Sequence, residues 1–113
     1  LQAVLAGAIT TNQLHCSVYF FDTQKGTKQD TSELKRFPYY SSTNNTTDVT
    51  ICSAPPQDIV RQIDTIIVYN NDTVNATVTV KVDISGTDQI LKKSVLTTGQ
   101  SLIYEHGTGW QVL

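Results

Sequence analysis

The 113-residue chain has eight basic and ten acidic side chains, a formal net charge of −2 and an isoelectric point near 5.5, a balance that argues against the basic stripe of a nucleic-acid binder. Only 16% of its residues are charged, so its polarity rests on Thr, Ser and Asn, as in β-proteins rich in turns. A chain of this length buries roughly two-thirds of its unfolded surface and suffices for one domain without disulfide or metal staples.

Taken in chain order, residues 1–11 read as a first strand or extended arm interrupted at Gly7. Residues 1–9 resemble the apolar stretch of a signal peptide but lack a basic leader, an initiator Met and the length. The segment is expected to pair as an edge strand, in its own sheet or on a neighbouring subunit. Residues 15–22 form a second strand, with Cys16, Val18 and Phe20 on one face and Tyr19 and Phe21 on the other. Aromatics on both faces predict either a central strand or an outward face that meets a partner. Residues 23–45 read as a long irregular loop containing a short strand near 37–41. Lys25, Lys28, Lys35 and Arg36 place four of the eight basic residues there, which makes it a candidate contact loop.

Residues 46–53 read as a strand, ended by Ala54-Pro55-Pro56 because proline offers no ladder donor. The next strand, 61–69, carries Ile66, Ile67 and Val68 in succession, so its middle is expected to be buried on both sides. Asn70-Asn71-Asp72 is turn chemistry. Ala76, Val78, Val80, Val82 and Ile84 then alternate with Thr77, Thr79, Lys81 and Asp83, the period of a strand with one face in a core. Its Thr and Val content suits a pleated surface. Ser85-Gly86-Thr87-Asp88 predicts a tight hairpin with Gly86 at positive φ. Strands at 89–96, 101–105 and 110–113 follow, separated by turns at Gly99 and Gly107. Roughly eight short strands without a helix predict an all-β fold, a single antiparallel β-sandwich or small barrel over residues 1–113, jelly-roll-like or Ig-like. Its core is expected to hold Ile66, Val68, Val78, Val80 and Val82.

The chain offers little catalytic chemistry. His15 and His106 have no second ligand at metal spacing, and the adjacent His15 and Cys16 point to opposite faces of a strand. Cys16 and Cys52 sit in apolar, strand-like contexts and read as buried free thiols. Neither is followed by an oxyanion-hole turn, and no acid is placed to orient a histidine. Gly107-Thr108-Gly109 precedes a strand and not the helix that a phosphate loop needs. Asp72, Asp83 and Asp88 lie near two turns but lack the spacing of a calcium loop. The N-x-Thr triplets at Asn44, Asn45, Asn71 and Asn75 are expected by chance in a Thr-rich sequence. No stretch approaches the ~18 apolar residues of a membrane span. The expectation is a soluble, non-enzymatic protein with no cofactor, no metal, no nucleic acid and no membrane. Trp110 is expected to plug the sandwich edge; as an alternative, it joins Tyr104 and the Tyr39–Tyr40 pair as a stacking platform for a sugar or protein.

Three stretches, "LQAVLAGAITTNQL", "VYNNDTVNATVTVKVDISGT" and "LTTGQSLIYEHGTGWQVL", resemble a group of small proteins encoded in tailed-bacteriophage genomes. The likeness lies in a Val-Leu-Ala-Gly-Ala opening, an Asn-x-Asp-Thr turn before a Thr/Val strand, and a Gly-Trp-x-Val close. It covers most of the chain apart from residues 23–45. What the resemblance implies is a non-enzymatic component of the virion, foremost a capsid decoration or cement protein that bridges capsid subunits. A homo-oligomer, such as a trimer about a symmetry axis, is expected with it. A neck, tail or fibre component is the alternative, and a carbohydrate- or receptor-binding β-sandwich is a second class. The candidate partner contacts are Tyr19, Phe21, Lys25, Lys28, Lys35, Arg36, Tyr39, Tyr40 and Trp110.

Overall fold

The alternation of residues 76–84 becomes a strand whose Val78 and Val80 are fully buried while Thr77 and Thr79 stay half-exposed. This pattern repeats through a computed structural model that describes residues 1–24 and 35–113. In chain order the strands are β1 (Gln2–Leu5), β2 (His15–Gln24), β3 (Arg36–Ser42), β4 (Val49–Thr50), β5 (Ile59–Tyr69), β6 (Ala76–Ile84), β7 (Thr87–Leu96), β8 (Ser101–Glu105) and β9 (Gly109–Val112). They form a four-stranded sheet ordered β4-β1-β6-β7 and a five-stranded sheet ordered β3-β2-β5-β8-β9. Every pairing is antiparallel. Two separate sheets make the fold a β-sandwich and not a closed barrel.

The inner faces meet in one core. Ala3, Leu5, Val78, Val80 and Leu96 come from the four-stranded sheet, and Cys16, Val18, Phe20, Ile66, Val68 and Leu102 from the five-stranded one. Val82 departs from expectation. It is half-buried because it lines a cleft where the sheets part at one end. Ser85 (φ 52°) and Gly86 (φ 85°) form the two-residue β6–β7 turn; positive φ at both positions matches the twist of the flanking strands.

The N-terminal strand is intramolecular and is not an edge. β1 lies between β4 and β6, with Ala3 opposite both Val49 and Val80. After it, the Asp72 carboxylate accepts the backbone N–H groups of Thr10 and Thr11 at 2.8 Å, Asn12 at 3.2 Å and Thr73 at 2.8 Å. Four such bonds favour the charged form and lower the Asp72 pKa to about 2, the bond from Thr10 contributing most. Buried Asn70 completes this corner by donating to the Val74 and Leu96 carbonyls and accepting from Asp72 N–H.

The expected loop at 23–45 is more regular than its sequence suggests. β2 runs on to Gln24, and residues 36–42 form β3, paired residue for residue with β2 from Arg36–Phe21 to Ser42–His15. Lys25 and Lys28 lie outside the described residues. Conversely, the strand expected at 46–53 contracts to Val49–Thr50, although Ile51 and Cys52 remain buried.

Candidate functional site

Strand alternation sorts the candidate residues onto two faces. On the outer face of the five-stranded sheet, one cross-strand row reads Tyr40, Ser17, Ile67, Ile103, and the next reads Ser42, His15, Tyr69, Ser101. Beside them stand Tyr19, opposite Pro38 and Thr65, and Phe21, opposite Arg36. Tyr40 is 66% exposed and Tyr69 38%, while Tyr19, Phe21, Ile67 and Ile103 are half-buried. The expectation that residues 66–68 are buried on both sides therefore fails at Ile67, which is half-buried on a side of the sheet that no other described strand covers. An apolar outer face of this kind is the usual mark of a protein contact.

The patch is braced internally. Tyr19 and Tyr40 meet edge to face at 6.2 Å, with their hydroxyls 3.4 Å apart; that hydrogen bond raises the Tyr40 phenol above its ordinary pKa. The Arg36 guanidinium lies 4.3 Å from the Tyr19 ring centre. It also pairs with Asp64 at 3.0 Å and donates to Thr65 Oγ1 at 2.9 Å. A register shift between Tyr19 and Phe20 leaves Asp64 as the extra residue of β5, and such a bulge re-aims a side chain locally. Lys35 is exposed next to this hairpin.

Tyr39 and Trp110 do not belong to the patch. Tyr39 turns inward against the core, so the Tyr39–Tyr40 pair is split between the two faces. Trp110 lies opposite Tyr104, itself opposite core residue Ile66, and the two rings sit 5.1 Å apart on the inner side. They line a cleft of about 500 Å³ at the end of the sandwich, with Ile63 and Ile66 on the same wall and Leu1, Val82 and Leu91 facing them.

One flank of the cleft is Arg61, a residue without any conspicuous signature in the sequence. Its guanidinium grips Asp22 with two bonds of 2.8 and 2.9 Å, donates to the Ser53 carbonyl at 2.8 Å and lies 4.2 Å above the Phe20 ring. Cys52 also borders the cleft. Burial raises its thiol pKa despite the opposing pull of Arg61, and burial pushes Cys16 to about 12. Both cysteines are free and held as neutral thiols, poor nucleophiles at physiological pH. Among the described residues, no three His, Cys, Asp or Glu side chains gather as metal ligands.

Among the described residues, nine antiparallel strands form a β-sandwich with one aromatic outer side. No protein-family model matches the chain, and comparison with curated proteins and with solved structures gives no significant match.

Proposed function

We propose that the protein is a non-enzymatic structural component of a tailed-bacteriophage particle, a decoration or cement subunit that docks on the capsid. The observation that carries this reading is the outer face of the five-stranded sheet. There Tyr19, Phe21, Tyr40, Ile67, Tyr69 and Ile103 share one side of the sheet, and no other described strand is layered over them. A freely diffusing protein does not need this face apolar. A rigid sandwich that presents aromatics and an arginine suits the centre of a protein interface, where such residues are enriched. The sequence resemblance to small phage-encoded proteins supports the particle as the setting. Self-association, a trimer included, belongs to the same proposal.

The test is co-sedimentation of the purified protein with intact particles, wild type against Tyr40→Ser combined with Ile67→Thr. Wild-type protein pelleting with particles while the folded double variant stays in the supernatant is the expected result. Equal pelleting of both would remove the aromatic face from the contact. No pelleting of either would remove the particle.

A further inference from the structure

We propose that the cleft at the end of the sandwich binds a neutral, mainly hydrocarbon small molecule of two or three rings, stacked on Trp110 and Tyr104. This stands independently of the virion reading and uses the opposite side of the five-stranded sheet. A cleft of about 500 Å³ exceeds threefold the ~150 Å³ cavity that holds benzene, and it falls within the ~300–1,000 Å³ of small-molecule sites.

The lining sets the chemistry. Ile63, Ile66, Val82 and Leu91 supply aliphatic walls from both sheets, and Tyr104 and Trp110 supply a pair of rings 5.1 Å apart. The charged groups among the described lining residues are Arg61, bound by Asp22 and the Ser53 carbonyl, the Leu1 ammonium, which donates to the Cys52 carbonyl, and Asp83, which accepts from the Gly86 N–H, so each already has a partner. An oligosaccharide would leave its hydroxyls unpaired against these walls, at a cost for each buried polar group. The ligand is therefore apolar and uncharged. A register shift between Val80 and Lys81 leaves Leu91 as the extra residue of β7. At 44% exposure it stands at the cleft mouth.

Trp110 is the single tryptophan, so it reports on the cleft alone. The probe is phenylnaphthylamine, a neutral aromatic amine whose emission is excited by energy transfer from tryptophan. The expected result is saturable binding at one probe per chain with loss of Trp110 emission. Leu91→Arg, which sets a charged side chain across the mouth without touching the core, should weaken binding at least tenfold while circular dichroism and melting temperature stay as in wild type. Tyr40→Ser, on the outer face, should leave binding unchanged. The proposal is overturned by no saturable binding, by binding indifferent to Leu91→Arg, or by binding lost with Tyr40→Ser. Release of the probe as protein concentration rises would also overturn it, by giving the cleft to a second copy of the chain.

Discussion

On the four-stranded sheet, the side chains turned to water include Thr50, Thr77, Thr79, Lys81, Asp83, Asp88 and Lys93; on the five-stranded sheet they include Tyr19, Phe21, Tyr40, Ile67, Tyr69 and Ile103. Both sheets obey the same period-two rule, and both bury a row of aliphatics in the shared core. The first outer face is finished with hydroxyls and ions. Lys81, on that face but buried, is held by Asp48 at 2.8 Å and Asp88 at 2.7 Å, and both bonds raise its pKa. The aliphatics Val4, Ile90 and Val95 are interspersed among these polar groups. The second outer face is finished with rings and isoleucines. Core packing explains the inward rows of both sheets but not this difference, which teaches that the outer rows answer to what each face meets.

The harshest way to break the comparison is to remove the core that both sheets share. Val80→Asp puts an unpaired charge at a fully buried position, costing several kcal/mol. Loss of the β signal in far-UV circular dichroism, or aggregation on expression, is the expected outcome.

Next in size is a break confined to the five-stranded sheet. Arg61→Ala strands the Asp22 carboxylate and frees the Ser53 carbonyl. Charge-assisted hydrogen bonds are worth roughly 1.5–3 kcal/mol, and a shift of the urea midpoint by that order, with an unchanged slope, is the check. The cleft described above should also loosen, which the Trp110 emission maximum would register.

A gentler break targets the segment that feeds the four-stranded sheet. The folded-state pKa of Asp72 falls from its ordinary 3.8 to about 2, so its charged form is preferred in the folded protein. Its stabilisation is complete above about pH 4 and is lost as pH falls through the folded value near 2. Asp72→Asn should melt earlier than wild type at pH 7, and the gap between the two should narrow from pH 4 to pH 2. A constant gap across that range would reassign the effect to shape and not to charge.

The smallest effect on stability sharpens the comparison most. Tyr40→Ser and Lys93→Ser alter exposed residues on opposite outer faces, and neither should move the melting temperature appreciably. Only Tyr40→Ser should reduce association with particles. If Lys93→Ser reduces it equally, the two faces are not functionally distinct.

Much of this was legible in the sequence where one local signal settled the outcome. The alternation of residues 76–84 and the Ser85-Gly86 turn rest on neighbours within a few residues and appear as expected; the Asn70–Asp72 turn appears too, but Thr10, Thr11 and Asn12 hold its carboxylate from far along the chain. Tyr19 and Phe21 were readable as opposite to Cys16 and Val18 because period two fixes their side within one strand, whereas the side of Tyr40 follows only from the pairing of β3 with β2. Ile67 misled, since a run of apolar residues announces that two faces are apolar without saying that two layers cover them. The short strand expected near 37–41 appears as β3 (Arg36–Ser42), and Pro38 is tolerated in it because β3 is an edge. Arg61 and the cleft could not be seen at all. They depend on how far two sheets part at one end, which no residue spacing encodes.

The insertion of β1 between β4 and β6 bears on how the chain reaches this state. Ala3 pairs with Val49 on one side and Val80 on the other, and Leu5 with Val78, so both neighbours of β1 follow much later in the chain. The β6–β7 hairpin, closed by a two-residue turn, can form by itself in microseconds and offers an edge on which β1 can dock. Long-range closure of this kind belongs to slow folders, on the millisecond-to-second scale. Through that interval an apolar strand waits unpaired, which makes the opening residues the segment most prone to capture by another chain during folding.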